Sequence, residues 1–196
     1  MPSMVHKSIV VTGTPGTGKT TLCRRISKIT DFTHIDLGRY VVRNSLYVGY
    51  DENRSTYVVD TESTKSALSK ILKNTEKGYL FDGSFAHLVV PPRMVLGAVV
   101  LRTHPLEIIE RLSKRSSVSK SLENAQAEAL DIILGETVSI FKRVYEIDTT
   151  NRLVNEVVQE FLTSYKRGLP SKIGTIHWLE RLHESGNIEK IFARDF

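Results

Sequence analysis

Gly13-Thr14-Pro15-Gly16-Thr17-Gly18-Lys19-Thr20 decides how the rest of this chain is read. The stretch fits the pattern G-x-x-x-x-G-K-[ST], in which glycines let a loop turn its backbone N–H groups inward onto phosphate. Its context agrees. Ser8-Ile9-Val10-Val11-Thr12 before it reads as a buried strand, and Thr21-Leu22-Cys23-Arg24-Arg25-Ile26 after it reads as a helix. The N-terminus of that helix adds partial positive charge to the loop's donors. Lys19 is expected on the outer phosphates and the Thr20 hydroxyl on Mg²⁺, with Gly13, Gly16, Thr17 and Gly18 forming the cradle.

Outward from the loop, strands and helices alternate. The pattern predicts a helix near 18–29, a strand over Thr33-His34-Ile35-Asp36 and a helical stretch near 38–46. Val48 to Thr56 reads as a polar loop. A helix is expected near 57–75, with Val58, Val59, Ser66, Ala67, Leu68, Ile71 and Leu72 on its apolar stripe. Gly78-Tyr79-Leu80-Phe81-Asp82 is a short apolar run ending in an acid and reads as a third strand. Pro91-Pro92 stops any helix there. Gly97-Ala98-Val99-Val100-Leu101-Arg102 is nearly all apolar, as in a parallel sheet covered on both faces. Pro105 opens a helix that buries Ile108, Ile109 and Leu112.

A long helix is expected over 122–142, then a fifth strand at Val144-Tyr145-Glu146-Ile147-Asp148. Asn151 is the expected cap of a helix from about 152 to 167. Gly168-Leu169-Pro170-Ser171-Lys172 reads as a linker to a last helix with Ile176, Trp178, Leu179 and Leu182, followed by Ile188 and Ile191. That extension, about 173–196, is expected to pack on the main body. The alternation predicts an α/β fold, three layers deep, around a five-stranded parallel sheet with ligands at the carboxyl ends of its strands. The 196 residues suit one domain over 1–196.

Composition narrows the function classes. Hydrophobic residues make up 40% and charged residues 25%, the balance of a soluble globular chain. No apolar run spans a bilayer, and Met1 to Lys7 lacks a signal-peptide core, so a cytoplasmic location is expected (nuclear in a eukaryote). The single cysteine, Cys23, excludes an internal disulfide and a cysteine-based zinc cluster, and reads as a buried small hydrophobe. The 27 Lys and Arg exceed the 22 Asp and Glu, leaving +5, which suits a polyanion but does not separate nucleotide from RNA.

Other residues suggest chemistry. Asp82 ends its strand where an acid reaches Mg²⁺ through water beside such a loop, although a strand-end aspartate also serves as a plain helix cap. Arg111 and Arg115 are four apart and share a helix face ahead of a basic, serine-rich turn. They suit a short lid that stabilises charge on a moving phosphoryl group. Asp36, Arg39 and Arg43, with Arg54, are candidates to hold an acceptor, and each also fits an ordinary surface role. Asp51 and Glu52 read as organisers of that segment. His34, His87, His104, His177 and His183 show no metal-ligand spacing and read as structural or exposed. A guanine-reading Asn-Lys-x-Asp is absent. Asp36-Leu37-Gly38 lacks the second acid of a D-x-D found in shikimate-type kinases.

Taken together, several stretches resemble the small adenylate-kinase-like nucleotide kinases of archaea and the eukaryotic nucleus, the adenylate kinase isoenzyme six type. They are Thr12 to Thr21, Leu46-Tyr47-Val48-Gly49-Tyr50-Asp51-Glu52 and Val99-Val100-Leu101-Arg102-Thr103-His104-Pro105. Glu110-Arg111-Leu112-Ser113-Lys114-Arg115 and Glu123-Asn124-Ala125-Gln126-Ala127-Glu128 follow in order, so the likeness covers roughly 7–167. Gly174-x-x-x-Trp178 is similar to the archaeal branch.

The resemblance implies a P-loop NTPase fold of the nucleoside monophosphate kinase type, with ATP and Mg²⁺ used to phosphorylate AMP. It implies an acceptor-binding segment near 36–59 and a lid near 113–123. By the same likeness Gly16, Gly18, Lys19, Thr20 and Thr21 contact ATP, and Arg115 reaches it from the lid. It further implies a role in small ribosomal subunit maturation, with a platform ribosomal protein and pre-ribosomal RNA as partners. The alternative it leaves open is an ATP-switched assembly factor whose AMP kinase activity is incidental. Two departures stand out. Ser84 occupies the place of a histidine two residues after the strand-end acid, and Ser116-Ser117 replace a Gly-Tyr after the lid arginine.

Overall fold

The computed structural model describes residues 8–52, 54–73 and 76–192. The chain opens with β1 (Ile9–Thr12), α1 (Lys19–Ile29), β2 (Thr33–Asp36) and α2 (Leu37–Arg43). A hairpin of β3 (Tyr47–Asp51) and β4 (Thr56–Val59) follows, then α3 (Thr61–Lys73), β5 (Tyr79–Asp82) and α4 (Ala86–Val89). After one 3-10 turn at Pro92–Met94 come β6 (Gly97–Arg102), α5 (Pro105–Leu112), α6 (Val118–Ala129) and α7 (Ile132–Ile140). The last elements are β7 (Val144–Asp148), α8 (Val154–Lys166), α9 (Trp178–Glu184) and α10 (Ile188–Phe192).

Five strands form one parallel sheet in the order β2-β5-β1-β6-β7. Its core strands bury both faces because successive side chains point to opposite sides. Ile9, Val11, Leu80, Val99 and Leu101 meet α1 and α8 through Leu22, Cys23, Ile26, Val157 and Phe161. Val10, Phe81, Ala98 and Val100 meet Leu37, Leu68, Ala86, Val89 and Leu134 on the opposite side. The result is the expected three-layer α/β arrangement. Beside it, Ile108 and Leu112 of α5 and Ala125 and Ala129 of α6 bury Leu182 of α9 and Ile191 of α10. The C-terminal helices thus pack on the helices next to the phosphate loop. Among the described residues no helix is long and apolar enough to cross a membrane.

Five local expectations are corrected. Val48 to Thr56 is not a loop: it holds most of the antiparallel β3–β4 pair. Tyr57 meets Tyr47 at a tilt and Tyr50 edge-to-face across that pair, with ring centroids 4.4 Å and 5.1 Å apart, and aromatic cross-strand pairs stabilise a ribbon. The helix expected from 57 starts at Thr61, so Val58 lies on the exposed hairpin and not on a helical stripe.

The long helix over 122–142 is broken into α6 and α7. Asp131 sits between them in left-handed conformation, φ 55°, and its carboxylate pairs with Arg102 from the sheet. Asn151 is likewise left-handed and caps nothing; instead Glu156 accepts the Leu153 N–H at 2.8 Å and closes the first turn of α8. The expected linker is part of the core. Leu169 is fully buried, and Lys172 pairs with Tyr145 at the sheet edge.

Candidate active site

The phosphate loop joins β1 to α1 at the centre of the sheet, where strand order changes direction and ligands collect. Gly13 has φ +136°, and a Cβ there would lie 2.4 Å from the Leu101 carbonyl oxygen. Only glycine lets the loop pass that close to β6. Thr17 donates its N–H and its hydroxyl to the Thr14 carbonyl, at 3.2 Å and 2.9 Å. Lys19 Nζ reaches back to the same carbonyl at 2.9 Å. Burial pushes the Lys19 ammonium down to about 8, against the pull of Asp82 and Glu128. Phosphate brought into the loop supplies the charge that this buried cation lacks.

A cavity of about 780 Å³ opens beside the loop. Its walls are Gly16 to Leu22, the end of α5 with the turn behind it, and the segment from Thr149 to Val157. Five basic side chains line it (Lys19, Arg111, Lys114, Arg115 and Arg152) against the acids Glu107 and Glu110, so the field there favours an anion. Arg111 and Arg115 are both on that wall, in different roles. Arg111 donates to the Gly16 carbonyl at 3.0 Å and the Thr149 carbonyl at 3.1 Å, and pairs with Glu107. It braces the loop. Arg115 is exposed on the turn between α5 and α6. Thr20 is half-buried in the first turn of α1, and Thr21 is exposed on the cavity wall.

On the other side of the loop, Asp82 ends β5 in register with Val11 of β1 and Asp36 of β2. Its carboxylate is buried and accepts from His34 Nε2 at 3.0 Å through Oδ2. A second cavity, about 320 Å³, lies at this end of β2 and is lined by Arg24, His34, Ile35, Asp36, Arg39, Tyr40 and Arg43. Asp36 caps α2 by accepting the Arg39 N–H at 3.1 Å, and the Arg39 side chain lies 3.6 Å from the same carboxylate. Asp36, Arg39 and Arg43 line this one cavity together, and Arg24 joins them from α1. Arg54 is elsewhere: it pairs with Glu123 of α6 at 2.9 Å, while its carbonyl accepts from Lys120 Nζ at 2.7 Å.

The sequence reading missed the group that holds the loop from behind. Glu128, near the end of α6, accepts from the Thr14 hydroxyl at 2.5 Å through one oxygen. Its other oxygen accepts from Arg102 Nε at 2.7 Å, Trp178 Nε1 at 3.0 Å and the Thr103 N–H at 3.2 Å. Arg102 is buried and also bonds Glu146 at 2.7 Å. Glu146 in turn accepts the Thr175 N–H at 3.2 Å. A cation with three acids is how a buried charge is tolerated.

His87, expected to be structural or exposed, is buried, and its Thr12 partner reaches the Ser84 carbonyl. Burial holds its pKa below the usual histidine range despite Glu136, so the ring is neutral. It donates from Nε2 to Glu136 at 2.9 Å and accepts the Thr12 hydroxyl at Nδ1, 3.0 Å away. Thr12 also lies 3.3 Å from the Ser84 carbonyl.

Loop, sheet order and flanking cavities define a P-loop NTPase fold of the kinase type. Solved structures agree on the fold: shikimate kinase from Acinetobacter baumannii, in complex with shikimate, superposes with TM-score 0.58 at 17% identity over 82% of this chain and 93% of its own. Shikimate kinase from Bacteroides thetaiotaomicron gives 0.53 at 16% over 81% and 98%. A family profile described as an AAA domain (AAA_18) matches residues 9–131. A Methanocaldococcus jannaschii protein named "putative adenylate kinase" is 37% identical over 182 residues, covering 92% of this chain and 98% of that one. One of the same name from Saccharolobus islandicus is 34% identical over 179 residues, 87% of each chain. The chain belongs to the family of these archaeal adenylate-kinase-like P-loop proteins.

Proposed function

We propose that this chain is a nucleoside monophosphate kinase that moves the γ-phosphoryl group of ATP onto AMP, giving two ADP. Slower transfer to water would accompany it when no acceptor is bound. The observation that carries the reading is the pair of cavities on one sheet edge, a basic one along the phosphate loop and an arginine-lined one at the end of β2, with Asp82 between. The names of the curated relatives support AMP as acceptor.

In this reading the loop N–H groups and Lys19 hold the β- and γ-phosphates, and Arg115 closes from the turn after α5. Arg111 keeps Gly16 in place and leaves the direct charge contact to its neighbours. Arg24, Arg39 and Arg43 hold the acceptor phosphate, one of whose oxygens attacks the γ-phosphorus in line as the bond to the β-bridging oxygen breaks. That nucleophile is already an anion, so no general base is required. The Thr20 hydroxyl and the Asp82 carboxylate, the latter through water, form an all-oxygen donor set of the kind Mg²⁺ prefers. When bound, Mg²⁺ neutralises charge developing on the phosphates.

Product analysis with Mg-ATP, alone and with AMP, CMP, GMP or UMP, tests the proposal. ADP formation that requires AMP is the expected result, and phosphate release indifferent to every monophosphate would refute it. Lys19→Met should lower turnover by at least about 10³-fold, with an unchanged circular dichroism spectrum. A second reading, an ATP-switched assembly factor acting on a small-subunit ribosomal protein or pre-ribosomal RNA, is favoured by one contact. Trp178 of the C-terminal segment and Thr14 of the loop share the Glu128 carboxylate. An ATP-dependent change in affinity for ribosomal protein would support it.

A further inference from the structure

We propose that Cys23, His34 and Asp82 form a binding site for a thiophilic divalent cation, of which Zn²⁺ is the type, between the phosphate loop and the arginine-lined cavity. The three residues come from separate elements: α1, which packs on one face of the sheet, and the adjacent strands β2 and β5. Cys23 lies one helical turn past Lys19 on α1 and is fully buried against Leu80 and Ile26. His34 is on β2 and Asp82 ends β5, on the neighbouring strand. The Cys23 Sγ, a ring nitrogen of His34 and a carboxylate oxygen of Asp82 all lie within 4.8 Å of one another.

The chemistry of this trio differs from that of the Mg²⁺ position. Sulfur, imidazole nitrogen and one carboxylate oxygen are a zinc ligand set, whereas Mg²⁺ takes oxygen donors and keeps its waters. Charge balance points the same way. One thiolate and one carboxylate cancel a divalent cation, so the buried site ends neutral and avoids the large cost of an uncompensated interior charge. As the metal binds, the Cys23 thiol releases its proton to solvent. The imidazole proton moves from Nε2 to Nδ1 through solvent, so that Nε2 presents a lone pair to the metal in place of its hydrogen bond to Asp82.

Three protein ligands leave a fourth tetrahedral position for water or substrate. His34 forms part of the wall of the 320 Å³ cavity, so the trio is approached from its side, while Cys23 and Asp82 are buried behind it. Asp36, in register with Asp82, adds negative charge against the arginines of that wall. Occupancy would commit the Asp82 carboxylate to the thiophilic ion and so compete with the Mg²⁺ role the proposed function gives it.

The inference does not depend on which acceptor the protein uses, and its test reads metal binding directly. Titration of the full chain with Co²⁺ should give a saturable thiolate-to-cobalt charge-transfer band in the near ultraviolet, displaced by Zn²⁺ at equal stoichiometry. Cys23→Ser, close in size and outside the nucleotide machinery, should remove the band and weaken Zn²⁺ binding by at least about tenfold, while leaving turnover with excess Mg²⁺ and a zinc-selective chelator within about twofold. Cys23→Ala is the second variant, with folding checked by circular dichroism. A missing charge-transfer band in the unaltered chain, or Zn²⁺ affinity unchanged in both cysteine variants, would overturn the site.

Discussion

The two ends of α6 are held in opposite ways. Near its C-terminal end Glu128, 3% exposed, ties together Thr14 of the phosphate loop, Arg102 of the sheet and Trp178 of the C-terminal segment. In its N-terminal half Glu123 meets Arg54 of the hairpin with side chains 58% and 64% exposed, and Lys120 Nζ donates to the Arg54 carbonyl. Breaking a buried charge network costs about 3–5 kcal/mol, whereas an exposed pair contributes about 0–1 kcal/mol. One end of the helix is therefore anchored to the loop, and the other can part from the hairpin at little cost. The cover over the nucleotide in the proposed function would use such a contrast.

The largest expected effect strikes the anchored end. Glu128→Ala leaves the Arg102 guanidinium, the Trp178 N–H and the Thr14 hydroxyl short of their common acceptor. A loss of about 3–5 kcal/mol in urea unfolding is expected, with a weaker response of stability to added ATP than in the unaltered chain. A loss under about 1 kcal/mol would mean that the two ends do not differ. Trp178→Phe keeps the ring packing and removes one donor to the carboxylate. It should cost about 1.5–3 kcal/mol and raise the KM for ATP while hardly moving that for the acceptor. Equal changes in both would remove the selective link between the C-terminal segment and the loop.

A pH effect sharpens the same contrast on the buried side. His87 is held neutral, with its folded-state pKa below its ordinary value because burial outweighs Glu136. The unfolded chain then binds the extra proton first. The contribution is complete above about pH 6.5 and is lost as pH falls below it. Melting temperature measured from pH 7.5 down to 5 should decline, and His87→Gln should flatten that decline; an unchanged slope would exclude His87 as its source. The smallest effect belongs to the exposed end. Arg54→Ala should change stability by no more than about 1 kcal/mol, while altering the KM for the acceptor a few-fold. A stability loss as large as that of Glu128→Ala would break the comparison.

Legibility followed the distance over which each feature is encoded. The phosphate loop and Asp82 each lie within one short stretch, and the loop motif and the apolar run ending in an acid exposed them; the cap at Asp36 appeared only in the structure. The β3–β4 hairpin also had a local signal in Tyr47, Tyr50 and Tyr57, all strand-favouring aromatics, but Gly49 and the polar residues near 51–55 masked it. The break between α6 and α7 had none. Asp131 leaves the helix to meet an arginine 29 positions earlier in the chain.

By itself the amino-acid sequence determined the parallel α/β order, the phosphate loop and the acid at the end of β5, because helix and strand periods and glycine geometry act between near neighbours. Only the tertiary structure decided what holds the loop and what surrounds the acid. Thr14 and Glu128 are 114 residues apart, His34 and Asp82 48, and Glu128 and Trp178 50. A buried carboxylate has a strong need for partners but no preferred sequence distance to them, so the packing of α6, the sheet and the C-terminal helices selects which donors it meets.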